Sequence, residues 1–238
     1  MAFFIAINMD LYPFQGILLD KLLEAGHYRM HQHVFTTDMI FMDDAVFGVY
    51  WLRIALPKIH YSKSQLKLLQ KNKRFSVEIA PLLVTTEMEE LYWNYRNSIQ
   101  FEHVHDLNDY LSDGTPINRF ESKQICIYDD KKLIAVGIFD KGTKSIAGII
   151  NFFDPSYKKY SLGKQLMLLK CEYAIANQMA FYYPGYIAVG YTKFDYKVFP
   201  NIEAVEILDS MKPIWCSYSA EKLASLHSRF EWYMNQTP

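Results

Sequence analysis

The chain has 238 residues and is 50% hydrophobic, which is enough to bury the core of one large domain or two modest ones. Its formal net charge of -1 excludes a uniformly basic nucleic-acid-binding protein but leaves room for a local basic surface. No apolar run reaches the roughly 18 residues of a membrane span. Neighbouring cysteines are separated by 44 intervening residues, a spacing typical of neither a disulfide framework nor a metal site. We therefore predict a cytoplasmic protein without membrane contact or bound metal.

The N-terminal part of the sequence is predicted to alternate between helices and extended segments. A first helix ends at Gly26, and extended segments rich in Val, Phe, Tyr and Ile follow near residues 27–36 and 45–56. From residue 75, the strand FSVEIAPL leads into a helix with acidic residues in its first turn. The sequence then becomes polar over residues 100–120, where we predict a domain junction.

A local excess of positive charge extends from Arg53 to Arg74. This segment contains seven Lys or Arg residues and no Asp or Glu. Ser62 and Gln65 have the spacing of a capping box, which predicts a helix that begins at Lys63. Cationic side chains then recur every three or four residues on one helical face, as expected either for a phosphate-binding surface or for a solvated one. The candidate phosphate contacts are Lys63, Gln65, Lys67, Lys71 and Arg74.

The second half of the sequence is predicted to contain a strand meander, a helix and a further strand. Three strands near residues 123–128, 132–139 and 145–153 are joined by the polar turns DDKK and DKGTK. A helix over residues 161–178 and the aromatic strand AFYYPGYIAV follow. The segment SAEKLASLHSRFEWY is predicted to form a closing helix.

The order of meander, basic glycine-containing loop, helix and strand resembles the acyl-CoA N-acyltransferase (GNAT) fold. In that fold, backbone N–H groups at a helix start hold an anionic group of the acyl donor. The usual pattern Arg/Gln-x-x-Gly-x-Gly/Ala is met in part by Lys158, Ser161 and Gly163, since the first glycine is replaced. The resemblance implies an α/β fold of mixed, twisted sheets with flanking helices. A GNAT-like acyltransferase domain over residues 105–238 would follow a smaller α/β domain over residues 1–104.

A larger set of motifs resembles the aminoacyl-tRNA-protein transferases, the arginyl- and leucyl-transferases of the N-degron pathway. FFDPSYKKYSLGKQLMLL, YYPGY and KFDYK follow the order of motifs in that family's C-terminal domain. GHYRMHQHVF, LRIAL and SKSQLKLLQKN resemble its N-terminal domain, so the resemblance covers nearly the whole chain. The matching positions of the C-terminal half are Asp154, Pro155, Ser161, Leu162, Gly163, Tyr183, Gly185, Tyr186, Lys193, Tyr196 and Lys197.

The sequence departs from this family at a cysteine cluster. Family members commonly carry Cys-x-x-Cys-x-x-Cys after the Tyr-Arg segment, whereas this chain reads TTDMIFMDDAVFGVYW there. His27, His31, His33 and Asp38 are metal-capable residue types nearby, but alternating histidines of a strand are more often surface residues. The departure predicts a metal-free branch of the family that uses no cofactor besides its aminoacyl-tRNA donor.

The resemblance implies an enzyme that moves an amino acid, arginine or leucine, from aminoacyl-tRNA to the N-terminal α-amine of a protein. Its partners would be the tRNA acceptor stem and protein N-termini, and the family's protein substrates present an acidic first residue. A CoA-dependent GNAT N-acyltransferase is one alternative, and a catalytically silent homologue that binds tRNA or peptide is another. Because the donor ester is already activated, the reaction depends mainly on positioning, with a base for the amine and a proton donor for the departing ribose oxygen.

Particular residues are predicted for these roles. Asp140 ends an apolar strand and is the predicted base, although it could instead only begin the DKGTK turn. Tyr183 and Tyr186 are the predicted proton donors, and Lys193 and Lys197 would meet an acidic residue of the acceptor unless they are ordinary exposed lysines. The other substrate-binding residues implied by the resemblance are Asp154, Ser161, Leu162, Gly163 and Tyr196, and the predicted tRNA contacts are Lys63, Gln65, Lys67, Lys71 and Arg74.

Overall fold

The structure, a computed structural model, describes residues 13–99, 106–112, 114 and 117–236. Its helices are α1 (Gly16–Glu24), α2 (Lys63–Lys71), α3 (Thr86–Ser98), α4 (Leu107–Ser112), α5 (Leu162–Ala176) and α6 (Ala220–Gln236). Its strands are β1 (Tyr28–Met30), β2 (His33–Phe35), β3 (Met39–Met42), β4 (Ala45–Ala55), β5 (Ser76–Pro81), β6 (Ser122–Asp129), β7 (Lys132–Lys141), β8 (Ser145–Phe153), β9 (Phe181–Ala188), β10 (Val205–Asp209) and β11 (Ile214–Ser217). Within these described ranges, no helix is long and apolar enough to cross a membrane.

Nine of the strands form one mixed, twisted sheet. Its order is β11-β10-β4-β9-β8-β7-β6-β5, and β3 pairs with β4 beside this path. Neighbouring strands run antiparallel, except for β8 and β9, which are parallel. β1 and β2 form a separate hairpin. The predicted α/β fold with a mixed sheet and flanking helices is confirmed.

Strands from both sides of residue 104 belong to this sheet. β4 lies between β9 and β10, and β5 forms the edge beside β6. Residues 49–55 of β4 pair with β9, and residues 52–54 also pair with β10 on the other edge. The predicted division into residues 1–104 and 105–238 would therefore separate paired strands. Its junction falls on residues 100–105, which lie outside the described part of the chain.

Local sequence signals set several helix ends. Ser62 Oγ accepts a hydrogen bond from the Gln65 N–H at 3.3 Å, while Gln65 Oε1 accepts one from the Ser62 N–H at 2.8 Å. This is the predicted capping box, and α2 begins at Lys63 as expected. Gly26 has φ +78° just beyond α1, where a left-handed residue commonly ends a helix.

Two apolar layers cover the two faces of the sheet. α5 packs on one face together with Ile125 and Ile127 of β6, while α3 and α4 pack on the other face against Cys126. Successive residues of a strand point to opposite faces, so β6 contributes alternately to both layers. Full burial of each large apolar side chain stabilises the fold by about 1.5–3 kcal/mol.

Some elements were not predicted from the sequence. The extended segment expected near residues 27–36 is a hairpin, because His31 adopts a left-handed φ of 55° and the chain reverses there. β3, α4, β10 and β11 are each between four and six residues long. In runs this short, hydrophobic periodicity does not separate a helix or strand from a loop.

Candidate active site

The parallel strands β8 and β9 separate partway along their length. Their pairing is confined to residues 145–147 of β8 and 181–183 of β9. Beyond these residues, β8 remains paired with β7 as far as Phe153, and β9 remains paired with β4 as far as Ala188. Each strand is thus held along its other edge. The gap leaves backbone polar groups available to side chains or to a bound molecule.

Tyr28 of β1 lies where the two strands separate. Its hydroxyl oxygen is 2.8 Å from the carbonyl oxygen of Gly148 in β8 and 2.5 Å from that of Tyr183 in β9. A hydroxyl carries one hydrogen, so it donates to one of these carbonyls at a time. The Tyr28 ring stacks on Trp51 of β4, with their centroids 5.2 Å apart. A side chain from the N-terminal part of the chain therefore occupies the fork between the strands.

A cavity of about 440 Å³ fills this gap. Its wall is formed by the separated parts of β8 and β9, the middle of α5 and the 3₁₀ segment Thr192–Val198. Three cationic side chains line the cavity, those of Arg29, Lys170 and Lys197, and among the described residues no aspartate or glutamate lines it. Much of the remaining wall consists of aromatic rings, including Trp51, Tyr110, Tyr182, Tyr186 and Phe194. The cavity thus combines apolar surface with positive charge.

Lys197 is held within this aromatic wall. Its Nζ donates to the Tyr186 carbonyl oxygen at 2.8 Å and lies 4.6 and 4.5 Å from the ring centroids of Tyr186 and Phe194. Gly185 permits the close approach, since a Cβ there would lie 3.2 Å from Lys197 Nζ, and its φ of +100° disfavours other residues. Burial lowers the pKa of Lys197 to about 7. In its charged form this amine can receive a carboxylate in the cavity.

Lys170 enters the cavity wall from α5 and is 1% exposed. Its Nζ donates to the carbonyl oxygens of Ile138 in β7 at 2.7 Å and of Ile150 in β8 at 3.4 Å. These residues stand opposite each other beside a bulge at which Ile149 has no partner in β7. Burial lowers the pKa of Lys170 to about 7. A second amine with altered proton affinity therefore lines the same cavity.

Asp140, the predicted base, lies behind the cavity wall and not on it. Its buried Oδ1 accepts hydrogen bonds from Arg29 Nη1 at 2.9 Å and from Ser122 Oγ at 2.6 Å. Burial raises the pKa of the Asp140 carboxyl, while the Arg29 guanidinium acts in the opposite direction. Arg29 also donates to the Leu111 carbonyl oxygen at 2.7 Å, so this ion pair joins β1, β7 and α4. The position of Asp140 does not support its predicted contact with the substrate amine.

The other predicted catalytic and acceptor-binding residues divide between two places. Tyr186, Tyr196 and Lys197 line the cavity together. Tyr183 lies in the core beneath α1, because alternate residues of β9 point to opposite faces. The proton-donor role is therefore available to Tyr186 but not, by position, to Tyr183. Lys193 is exposed outside the cavity wall, with its Nζ 5.2 Å from the Tyr191 ring centroid.

The predicted acyl-binding loop lies apart from the cavity wall. Asp154 caps the 3₁₀ segment that follows it and accepts a hydrogen bond from Lys132 Nζ at 2.6 Å. Ser161 has a left-handed φ of 52° before α5 begins. Leu162 is fully buried, and Gly163 lies against Phe153. These features place Asp154 and Ser161 in the connection between β8 and α5, and Leu162 and Gly163 at the start of α5.

The basic helix α2 packs against this turn. Asn72 Nδ2 donates to the Tyr160 carbonyl oxygen and to Gln165 Oε1, each at 2.8 Å, and Lys71 Nζ donates to the Lys159 carbonyl oxygen at 2.7 Å. Residues 61–75 and 155–171 contain no Asp or Glu. We call the resulting surface the basic face; its exposed cationic side chains are Lys63, Lys67, Lys71, Lys73, Arg74, Lys158, Lys159 and Lys164.

Gln65 is not part of the exposed basic face. Its side chain is 5% exposed, and its Nε2 donates to the carbonyl oxygens of Phe199 at 2.7 Å and Pro200 at 2.8 Å. Because Gln65 Oε1 is engaged in the capping box, the two ends of the amide connect α2 to the backbone at Phe199 and Pro200. Gln65 is therefore buried within the protein, a position that does not support its predicted contact with tRNA.

Sequence reasoning did not assign roles to Tyr28, Arg29 or Lys170. The first two lie in GHYR, within a segment that carried the family resemblance, and Lys170 is an isolated lysine in the apolar run LMLLKC. A lysine among buried helical positions was the available signal, since lysine is seldom buried without a specific contact. Within the part of the chain that the structure describes, no group of three His, Cys, Asp or Glu side chains is placed to hold a metal ion.

A mixed sheet with a parallel strand pair that separates around a cavity has the arrangement expected from the resemblance to the GNAT fold. The family described as "Arginine-tRNA-protein transferase, C terminus" matches residues 87–206. The chain belongs to this aminoacyl-tRNA-protein transferase family.

Similar proteins carry a more specific name. An aspartate/glutamate leucyltransferase of Hahella chejuensis is 25% identical over 205 residues, covering 85% of this chain and 82% of the relative. One from Shewanella oneidensis is 39% identical over 71 residues, or 30% of each chain.

The solved structures to which this chain is similar share little sequence with it. The C-terminal domain of a putative lysylphosphatidylglycerol synthetase from Agrobacterium fabrum has 11% identity and a TM-score of 0.46, covering 74% of this chain and 54% of that one. L-PGS from Bacillus licheniformis has 10% identity and a TM-score of 0.41, with 76% and 54% covered. The chain spans about half the length of these two solved chains.

Proposed function

We propose that the protein transfers leucine, or another amino acid with an apolar side chain, from its tRNA to the N-terminal α-amine of a protein that begins with aspartate or glutamate. The observation that carries the proposal is the character of the cavity. Aromatic rings and three basic side chains line it, and no acidic residue of the described chain does. The names of the similar leucyltransferases support the same donor and acceptor.

The cavity favours an apolar aminoacyl group over an arginyl group. A guanidinium in this space would meet the charged form of Lys197 without a carboxylate from the described wall to pair with it. Two unit charges 6 Å apart repel each other by about 3 kcal/mol at an effective dielectric constant of about 20. A leucyl side chain avoids this repulsion, and its burial contributes about 1.5–3 kcal/mol.

The positive charge in the cavity suits an acidic first residue of the acceptor. Lys197 Nζ is held 2.8 Å from the Tyr186 carbonyl oxygen, so it is positioned before a carboxylate arrives. A hydrogen bond between an ammonium and a carboxylate contributes about 1.5–3 kcal/mol, more than a bond to a neutral amide. The acceptor would thus be distinguished by charge as well as by shape.

The basic face would hold the tRNA. It includes the turn at the start of α5, and Lys170 of the cavity lies eight residues beyond Leu162 in this helix. At 1.5 Å per residue, the separation along the helix axis is ~12 Å. A short single-stranded 3′ end can therefore extend from the basic face into the cavity. The proposal places the protein in the cytoplasm, with charged tRNA as its donor and no cofactor.

A transfer assay tests the proposal. The purified chain is incubated with leucyl-tRNA or arginyl-tRNA and with peptides that begin with Asp, Glu, Asn or Ala, and the products are identified by mass spectrometry. We expect leucine on the Asp and Glu peptides only. Arginine transfer would overturn the donor assignment, and transfer from acyl-CoA alone would indicate the CoA-dependent alternative. Binding of tRNA without any transfer would indicate a silent homologue.

A further inference from the structure

The proposed transfer needs a proton acceptor that reaches the cavity. Asp140 does not line the cavity and is bound to Arg29, with side-chain exposures of 0% and 4%. Lys197 must carry its charge in order to bind an acidic residue. Lys170 lines the inner wall, and its two hydrogen bonds are to backbone carbonyls and not to a carboxylate.

We propose that Lys170 is a catalytic residue of the transfer and acts, as a neutral amine, as the proton acceptor for the attacking α-amine. This inference rests on the proposed function and identifies a group of the same site. A neutral lysine side chain has two N–H bonds and one lone pair. The carbonyl oxygens of Ile138 and Ile150 engage the two N–H bonds. The lone pair then remains for the substrate.

Asn151 provides a second observation at the same place. Its Oδ1 is buried at the cavity wall without a hydrogen-bond partner among the described residues. Gly137 leaves the space for both side chains, because a Cβ there would lie 2.9 Å from Asn151 Oδ1 and 3.2 Å from Lys170 Cε. An incoming amine can donate one hydrogen to Asn151 Oδ1 while another points towards Lys170. The polar groups of this corner are thus complementary to an amine.

The groups around Lys170 are compatible with a change in its protonation near neutral pH. Burial lowers its pKa to about 7, and the charge of Asp140 and the Cys171 thiol act in the opposite direction. The other titratable or charged groups that line the cavity are Tyr28, Arg29, His31, Tyr95, Tyr110, Tyr182, Tyr186, Tyr196 and Lys197. A base is most effective when its pKa lies near the working pH.

The proton balance of the step is complete without another reactant. The α-amine nitrogen forms a bond to the ester carbonyl carbon, giving a tetrahedral intermediate with a charged nitrogen and a charged oxygen. Lys170 accepts one proton from that nitrogen. As the carbonyl reforms, the bond to the ribose oxygen breaks, and Lys170 returns the proton to this leaving oxygen. The products are an amide and tRNA with a free hydroxyl.

Two substitutions separate catalysis from support of the bulge. Lys170→Arg keeps the hydrogen-bond donors but stays charged, whereas Lys170→Met keeps only the apolar volume. We expect both variants to lower kcat by about 10²–10⁴-fold while tRNA binding is unchanged. Activity of Lys170→Arg equal to that of the wild type would overturn the proposal and leave Lys170 a structural residue. If the wild type itself showed no transfer, the result would instead contradict the proposed function.

The pH profile of the wild type covers the case in which neither variant folds. Protonation of Lys170 should reduce kcat/KM as the pH falls through about 7. Protonation of the acceptor α-amine adds a second loss, with a reference pKa of about 7.7–8.0. Below the pKa values of both Lys170 and the acceptor α-amine, log kcat/KM should fall with a slope of two as the pH decreases. When an acceptor with a different amine pKa is used, only the part of the profile that reports the α-amine should move. A slope of one with a single, acceptor-dependent limb would overturn the role of Lys170.

Discussion

Lys197 and Lys193 lie in one 3₁₀ segment, but only Lys197 lines the cavity. We predict that Lys197→Met raises KM for peptides beginning with Asp or Glu by about 10–100-fold, the equivalent of one charge-assisted hydrogen bond. The measurement is steady-state kinetics at saturating leucyl-tRNA. Lys193→Met is the matched control and should change KM little. Equal effects of the two substitutions would show that position within the cavity does not decide acceptor binding.

The Lys197 amine also predicts a pH dependence of acceptor binding. Burial lowers its pKa to about 7, so the ammonium is present below that pH and is lost as the pH rises through it. The KM of the wild type for an Asp peptide should therefore rise between about pH 6 and 8, the window around that pKa. In Lys197→Met this increase should be absent. A rise of the same size in the variant would assign the titration to another group.

Asp140 is predicted to act mainly through stability. Asp140→Asn removes the negative charge beside the buried Arg29 guanidinium, which should lower the free energy of unfolding by about 3–5 kcal/mol. Urea unfolding measures this loss. The control is Glu121→Gln, which breaks the more exposed pair with Lys141 and should cost only about 0–1 kcal/mol. Unchanged stability with reduced turnover would restore Asp140 as the base.

At the scale of elements, the sequence predicted what local signals determine. The Ser62 and Gln65 side chains lie within one helical turn, so their spacing alone indicates the cap of α2. The fork between β8 and β9 depends instead on Tyr28, which is 120 residues from Gly148 and 155 from Tyr183 in sequence. Contacts across such separations depend on strand order, which no local pattern contains. Lys170 differs, since the apolar run LMLLKC around it was a local signal of a buried lysine.

The basic face gives a prediction for tRNA binding. Lys63, Lys67 and Lys71 are replaced together with glutamine. The slope of the logarithm of the tRNA association constant against the logarithm of the salt concentration should then become less steep by about one for each lost phosphate contact. Glutamine and lysine have similar helix propensities, so α2 should persist. The measurement is a salt titration of uncharged tRNA. The control variant carries glutamine at Lys21 and Lys212, which are exposed outside this face. Parallel slopes for the wild type, the triple variant and the control would show that α2 is a solvated surface.

At the scale of the whole molecule, the N-terminal and C-terminal parts complete one another. β4 separates β9 from β10, and Tyr28 and Arg29 contribute to a cavity whose other walls come from β8, β9 and α5. We predict that residues 105–238 expressed alone lack a cooperative thermal transition, because both β9 and β10 lose a partner strand. Circular dichroism tests this against the full chain. A cooperative transition in the fragment would support two independently folding domains.

The choice between leucine and arginine tests the central claim most directly. Leucyl-tRNA and arginyl-tRNA are supplied together at equal concentration with one peptide that begins with aspartate, and the initial rates of the two additions are compared by mass spectrometry. Because the charged form of Lys197 lines the cavity and no aspartate or glutamate of the described residues does, we predict that leucine is added at least about 100-fold faster, as about 3 kcal/mol of repulsion requires. Equal rates, or faster addition of arginine, would contradict the account.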